Sequence, residues 1–336
     1  MTTSKFLANI FSYLRAHPII CLLLLSPGIP EYLTSSSPFN AIVLNPPQFV
    51  LQALLNLSLY GPGGILIREA AVRWKKGWAT VLLLGAAYGI LEEGIALSTL
   101  YNSLAGPVGK LGFYGHYFGV NWVWLSGILP VHMIFSIALP ILLLRLALPE
   151  TDGKSLVASR KGIITAFVFL GVDVSILFLF ILYGEHFWMG WPVFLSSFAA
   201  VCLLMLIARR APSNLLATRS TEPRISPLKI AIVGALFFTS TLLVEQLGIG
   251  RVPALMDMVS VVLVQALFLF YVRSVIGRQN NERQLVAFAS GLVFPLAFIG
   301  FIAELHLPLV LAVDLAFALF IWKLAQNYRT SRNIST

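Results

Sequence analysis

The chain alternates long apolar runs with short polar joints. Apolar runs of about 20 residues recur between residues 17 and 322, and the joints between them carry most of the charge. A helix needs about 20 apolar residues to cross the hydrocarbon core of a bilayer, and this alternation is typical of polytopic helical membrane proteins. The pattern therefore predicts an all-α fold built as a transmembrane helix bundle.

Ten runs are long enough to be counted as spans. They lie at about 17–33, 48–67, 78–100, 121–144, 163–183, 190–208, 230–247, 254–272, 285–303 and 307–322. The first run is short and follows basic residues, as in a signal peptide, but Ser26-Pro27-Gly28 is a poor cleavage site, which favours an uncleaved span. The second is expected to break at its Tyr60-Gly61-Pro62-Gly63-Gly64 segment, because glycine and proline interrupt helices.

The predicted organisation is a single membrane domain, residues 17–325, with a short segment at each end. Residues 1–16 place apolar side chains on one face and predict an amphipathic helix at the membrane interface. Residues 326–336 are polar and predict a tail in the cytoplasm.

Basic residues predict the orientation. If the N-terminus is cytoplasmic, only Lys110 and Arg251 fall in outer joints, so 21 of the 23 Lys and Arg residues are cytoplasmic. Cytoplasmic loops of membrane proteins carry such an excess. We therefore expect a multi-pass protein of the cell membrane with both termini cytoplasmic.

Composition narrows the class of protein further. Charged residues make up 11% of the chain, against about 25% in soluble domains, and the mean hydropathy is +0.86. The net charge of +9 comes from the joints, so we expect no nucleic-acid partner. Cys21 and Cys202 both lie in apolar runs and form neither a disulfide framework nor a thiolate metal site.

Two adjacent carboxylates interrupt the third run, in Leu91-Glu92-Glu93-Gly94. A charged side chain inside a bilayer is costly, so it indicates a functional site. Neighbours on an α-helix point about 100° apart, so the two glutamates are expected to face different directions. Glu92 shares a face with Tyr88, whose phenol can donate a hydrogen bond to it.

The fourth run brings a histidine to the same region. Pro130 has no N–H, which leaves the carbonyl of Ser126 without its helical partner, and inside a membrane this carbonyl is expected to need another hydrogen-bond donor. His132 and Ser136 are four residues apart and share a face. A kinked helix of this kind, beside the glutamate pair, predicts a polar pocket; the alternative is a kinked helix whose histidine only bonds a carbonyl.

Three further residues are candidates for a supporting role. His116 lies on the predicted outer side, where most of the acidic and histidine residues collect. Asp173 and Asp314 each stand alone in an apolar run. Each of these two aspartates is either a proton carrier or a hydrogen-bonded contact between helices.

Three kinds of chemistry fit an outward-facing site of Glu92, Glu93 and His132. The first is hydrolysis of a membrane-embedded substrate, with Glu93 and His132 holding a divalent metal such as zinc and a second carboxylate acting as base. The second is a proton- or cation-coupled transporter of a small solute. The third is a structural or assembly role. Membrane lipids are partners in every case.

The glutamate pair and the histidine also carry a family resemblance. Leu91-Glu92-Glu93-Gly94, followed by His132-Met133-Ile134-Phe135-Ser136, resembles the CPBP (Abi-like) intramembrane metalloproteases, which have a Glu-Glu motif on one helix and histidine motifs on later ones. The resemblance implies water activation for peptide cleavage by Glu92, Glu93 and His132. Leu97 stands where that family has arginine, and Ser136 where it has asparagine. Residues 60–140 also resemble a group of prokaryotic membrane proteins with a LEEG helix, which assigns no activity.

Overall fold

A computed structural model describes residues 12–216, 225–275, 282–304 and 310–330. Apart from one short hairpin, the regular structure of these residues is helical, which confirms the all-α prediction. The α-helices are α1 Pro18–Pro27, α2 Ala41–Leu44, α3 Pro46–Arg73, α4 Trp78–Gly89, α5 Trp122–Val131, α6 Leu139–Ala147, α7 Arg160–Tyr183, α8 Trp191–Arg210, α9 Pro227–Gly248, α10 Ala254–Val275, α11 Glu282–Ala303 and α12 Val310–Thr330.

Three segments of π-helix extend these α-helices. They are Gly28–Tyr32 after α1, Ile90–Ala96 after α4, and His132–Ala138 between α5 and α6. Strands β1 His116–Tyr117 and β2 Val120–Asn121 pair antiparallel, with His116 opposite Asn121. Turns of 3-10 helix cover Gly106–Gly112 and Pro149–Thr151.

Eight helices among the described residues are long and apolar enough to cross a membrane, which supports a multi-pass membrane protein. They are Pro46–Arg73, Trp78–Ala96, Trp122–Ala147, Arg160–Tyr183, Trp191–Arg210, Pro227–Gly248, Ala254–Arg273 and Glu282–Ala303. These correspond to the second to ninth predicted runs.

The two ends of the chain are less regular than the eight spans. The first run forms a shorter apolar helix, Pro18–Tyr32. Residues 12–16 of the expected amphipathic helix are helical, and residues 1–11 lie outside the described part. Helix α12 continues to Thr330, so the first residues of the expected tail are helical, and residues 331–336 are not described.

The chain divides into two compact units. Unit 1 comprises Met1–Lys75, Phe135–Leu170 and Leu296–Thr336, and unit 2 comprises Lys76–Ile134 and Gly171–Pro295. Every candidate site residue that the sequence places in the third run therefore belongs to unit 2.

In unit 1, helix α3 runs unbroken through the segment where we expected a break. Gly61 and Gly64 lie directly against α1: a Cβ on Gly61 would meet Leu23 at 2.3 Å, and one on Gly64 would meet Ser26 at 2.7 Å. The prediction of a break is wrong because these glycines serve close helix packing. That packing outweighs the weak helix preference of glycine and proline.

A buried carboxylate in α3 fixes the segment that follows α6. Glu69 is 1% exposed and accepts hydrogen bonds from the Leu156 backbone N–H at 2.6 Å and the Ser155 hydroxyl at 2.5 Å. The Nε–H of Arg73 donates to it at 3.1 Å. We call Glu69, Arg68, Arg73 and residues 151–157 the Glu69 clasp.

Arg68 supplies the second half of the Glu69 clasp. Its guanidinium is buried and lies 3.4 Å from the Glu69 carboxylate. It also donates to the backbone carbonyls of Thr151 at 2.6 Å and Lys154 at 3.0 Å. The buried charges are therefore paired with each other and with backbone groups, as burial of charge requires.

In unit 2, helices α9 and α11 cross at two glycines. A Cβ on Gly234 would lie 2.7 Å from the Phe288 carbonyl oxygen, and a Cβ on Gly291 would lie 2.0 Å from the Ala231 carbonyl oxygen. Both distances are below any normal contact with rigid backbone. The two backbones can approach this closely only because neither residue has a side chain.

Replacing Gly291 by alanine is therefore expected to destabilise unit 2 by about 1–3 kcal/mol, because the added methyl forces the helices apart. The melting temperature in detergent measures this. Gly171→Ala is the matched control, because it is a helical glycine with open space around its Cβ position. A Gly291→Ala protein that melts like Gly171→Ala would contradict the close crossing.

Candidate functional site

The two glutamates of the third span lie on a π-helical turn. Residues Ile90–Ala96 follow α4 without interruption and have the wider π-helical winding. Glu92 is 1% exposed and Glu93 is 7% exposed. Single π turns inside α-helices are rare and often occur at functional sites.

His132 reaches this turn from the next span. It begins the π-helical segment His132–Ala138, two residues after Pro130, and is 3% exposed. Gly89 provides the space, because a Cβ there would lie 3.1 Å from the His132 Cβ and 2.9 Å from Leu129. The glycine of α4 thus allows α5 to bring the imidazole to the carboxylates.

The imidazole lies between the two carboxylates and contacts both. Its Nδ1 is 3.0 Å from Glu92 Oε2, and its Nε2 is 2.9 Å from Glu93 Oε1. We call Glu92, Glu93 and His132 the triad. A neutral imidazole has one N–H, so hydrogen bonds to both carboxylates require either a protonated imidazole or a protonated carboxyl group.

The expectation that Glu92 and Glu93 face different directions is wrong. It assigned the two carboxylates to different partners, whereas one imidazole, with a nitrogen on each of two edges, contacts both. Two adjacent carboxylates can therefore contact the same imidazole ring, one at each nitrogen.

Two residues that we did not predict hold the triad from outside. The Thr99 hydroxyl donates to the Glu93 carboxylate, and the Trp124 indole N–H donates to the Thr99 hydroxyl oxygen at 3.3 Å. This chain joins the segment after α4 to the first turn of α5. The only signal in the sequence is the polar pair Ser98-Thr99 directly after an apolar helix.

The loop after the π turn is anchored by a half-buried tyrosine. The Tyr101 hydroxyl lies 2.5 Å from the Ser197 hydroxyl of α8. Burial raises the pKa of the Tyr101 phenol, an effect that the Ser197 hydrogen bond opposes. The phenol thus stays protonated at neutral pH and ties this loop to α8.

The predicted supporting residues have different locations. Tyr88 packs on the triad, with its ring centre 6.1 Å from that of His132. His116 is in strand β1, where its Nε2 lies 3.1 Å from the Tyr101 carbonyl oxygen. Asp173 is buried in α7, and neither it nor His116 belongs to the metal-capable group found among the described residues.

The other two supporting residues belong to unit 1, whereas the triad belongs to unit 2. Ser136 is fully buried in the π-helical segment that begins at His132. Asp314 is half-buried in α12.

The carbonyl released by Pro130 has a partner, as the sequence predicts. Gln265 of α10 donates its amide N–H to the Ser126 carbonyl oxygen at 2.9 Å. Backbone groups inside a membrane segment need such partners, because no water is present there to replace them. The interruption of α5 near the triad is thereby stabilised.

The triad has the donor set of a metal site. One ligand atom from each residue lies within 4.8 Å of the other two. In the described part of the chain, these three residues are the group of histidine, cysteine or carboxylate side chains that lie close enough together to hold a metal ion. Carboxylate oxygen and imidazole nitrogen are both zinc ligands, and catalytic zinc takes three protein ligands with one position open. The residues fit a divalent metal by type and burial.

Fold and triad together define a multi-pass helical membrane protein with a buried carboxylate–histidine cluster in two adjacent spans. No known protein family, curated protein or solved structure matches the chain. The function is therefore inferred from the geometry of the triad.

Proposed function

We propose that the protein is a metal-dependent intramembrane hydrolase of the CPBP-like kind, acting on a membrane-embedded substrate. The observation that carries this proposal is the convergence of Glu92, Glu93 and His132, all buried, within membrane-length helices. Buried ionisable groups in spans are costly and mark functional sites. The order Glu-Glu then His along the chain agrees with the resemblance to those proteases.

The contacts suggest a role for each triad residue. Glu93 and the Nε2 of His132, which lie 2.9 Å apart, would hold the metal. Glu92, on the Nδ1 side at 3.0 Å, orients the imidazole as carboxylates do for metal-bound histidine. A divalent metal would supply Lewis-acid activation of a water molecule.

The proposal includes the full membrane topology. We infer ten spans, of which Pro18–Tyr32 is the first and α12 is the last. The protein would lie in the cell membrane, with both termini in the cytoplasm. The charge asymmetry of the joints supports this orientation. In this orientation the triad lies toward the outer ends of its two spans, and the proposed substrates are peptides or lipids that reach it from the bilayer.

A specific feature favours a second candidate, a proton- or cation-coupled transporter. Glu92, Glu93 and His132 all lie on π-helical turns, where the winding of their spans departs from regular α-helix. Interrupted helices beside charged residues are a common feature of transporter binding sites. A histidine held between two carboxylates can also exchange a proton with either one.

The metal content of the detergent-purified protein separates the two candidates. Near-stoichiometric zinc or another divalent metal is expected in the wild type and should be lost in Glu93→Gln, because that change removes a ligand. Glu92→Gln is the matched control, with the same change in charge on the adjacent residue, and should retain the metal.

Two outcomes would contradict the proposal that the protein is a metal-dependent hydrolase. A folded wild type that takes up no divalent metal after zinc loading favours the transporter, for which pH-driven flux in liposomes is the next assay. A metal content that is equal in wild type and Glu93→Gln would place the ion elsewhere.

A further inference from the structure

A second pair of buried carboxylates joins helices α9 and α10 of unit 2. Glu245 lies in the last turn of α9 and is 6% exposed, and Asp257 lies in the first turn of α10 and is 1% exposed. The short loop 249–253 connects the two helices. The pair therefore lies within one turn of the ends of two candidate spans.

Both carboxylates have an oxygen atom without a hydrogen-bond partner. Glu245 Oε1 and Asp257 Oδ2 are buried and accept no hydrogen bond from the described residues. Within the same residues, no lysine, arginine or histidine forms an ion pair with either group. Arg251 in the connecting loop instead donates to the Leu247 carbonyl oxygen at 2.9 Å.

Glycines clear the space around the pair. Glu245 and Gly248 are three residues apart and share a face of α9, and the Asp257 Oδ2 would lie 2.2 Å from a Cβ on Gly248. On the other side, Glu245 Oε1 would lie 2.7 Å from a Cβ on Gly127 of α5. The carboxylates repel one another electrostatically, yet both occupy the space that these glycines leave.

The backbone of the connecting loop adds further oxygen atoms. Tyr114 donates its hydroxyl to the carbonyl oxygens of Gly248 at 3.0 Å and Val252 at 2.9 Å. The Gly248 carbonyl also accepts hydrogen bonds from the Arg251 and Val252 backbone N–H groups at 2.9 and 3.2 Å, so the Val252 carbonyl is the backbone oxygen that this loop offers to a cation. The donors that surround the pair are therefore all oxygen, whereas the triad includes an imidazole nitrogen.

We propose that Glu245 and Asp257 form a binding site for a hard divalent cation of the calcium type. Two buried carboxylates, each with an oxygen that accepts no hydrogen bond, keep their charge only beside a positive counter-charge, and one divalent ion balances both. Oxygen-only donor sets with carboxylates and carbonyls select calcium or magnesium over zinc. Calcium accepts irregular geometry, whereas magnesium demands a near-ideal octahedron, so a site assembled from a helix hairpin suits calcium.

This site is distinct from the triad. Gly127, which faces Glu245, and His132, which faces Glu92 and Glu93, are five residues apart on the same span and point roughly 140° apart. Helix α5 thus carries one site on each of two faces. Calcium binding at the pair does not depend on a metal at the triad.

Equilibrium dialysis of radioactive calcium against the chelator-treated full chain in detergent tests the proposal. The wild type is expected to bind one calcium ion with a Kd of roughly 0.1–1 mM, the range of weak calcium sites. Glu245→Gln and Asp257→Asn should each weaken binding at least about tenfold, because each removes half of the balancing charge. Bound calcium should also raise the melting temperature of the wild type and not of these variants.

Two controls make the outcome specific. Glu185→Gln removes an exposed carboxylate and should leave calcium binding unchanged. Glu93→Gln should also leave it unchanged while removing the metal at the triad. The proposal is wrong if the wild type shows no saturable calcium binding, if both pair variants bind like wild type, or if Glu93→Gln abolishes the calcium site.

Discussion

Replacement of His132 by alanine is expected to destabilise the protein by roughly 3–5 kcal/mol. The change leaves Glu92 and Glu93 together in a buried place without the imidazole that contacts both, and uncompensated buried charge costs about this much. The imidazole is 3% exposed, so water cannot readily take its place. Unfolding in detergent, followed by the melting temperature or by denaturant titration, gives the size of the loss.

Neutralising the carboxylates should reverse part of this effect. In a His132→Ala background, adding Glu92→Gln and Glu93→Gln removes both charges and is expected to raise stability above that of the single variant. If the triple variant is no more stable than His132→Ala, lost packing against Tyr88 rather than unpaired charge accounts for the damage.

Glu69→Ala is expected to have a comparable effect in unit 1, also roughly 3–5 kcal/mol, because it leaves the buried Arg68 guanidinium without its carboxylate. It also removes the acceptor for the Ser155 hydroxyl and the Leu156 N–H. The Glu69 clasp would open, and proteolysis within residues 151–157 should accelerate together with the drop in melting temperature.

Asp152→Ala is the control for this prediction. Asp152 pairs with Arg145 at 3.0 Å in the same region, but the aspartate side chain is 57% exposed. Exposed ion pairs contribute about 0–1 kcal/mol. Equal losses in Asp152→Ala and Glu69→Ala would show that burial is not what makes the Glu69 clasp strong.

The sequence predicted the helices well because membrane-length apolar runs leave few alternatives. Charge placement also pointed to the triad: a carboxylate pair and a histidine in two consecutive apolar runs have few other ways to avoid lipid. The same logic predicted a partner for the Ser126 carbonyl, although the identity of that partner, Gln265, required the structure.

Helical winding could not be predicted. The rule that separated Glu92 from Glu93 assumes regular α-helix, whereas both residues lie on a π turn. The same limit applies to Gly61 and Gly64, where composition suggested a break and the contact with α1 keeps the helix continuous. Tertiary packing determines whether a helix breaks or changes its winding at such positions, and the local sequence pattern does not reveal that packing.

Pairings between residues on different helices were also missed. Thr99 lies six residues beyond Glu93 and has no feature that marks it as a donor to that carboxylate. Glu245 and Asp257 stand in separate apolar runs, and only the α9–α10 hairpin brings them together. The sequence identifies polar residues that could belong to such sites, but it does not show which of them contact each other.

The Glu69 clasp sets an order of events during synthesis. Ser155 follows Glu69 by 86 residues, so at roughly 5–20 residues per second the ribosome needs about 4–17 s to deliver it. Throughout that delay the end of α3 has a carboxylate and two arginines but not the backbone groups that later hold them. Helix α3 can therefore enter the bilayer early, but the contacts at its end form only after α6 and the segment that follows it have been made.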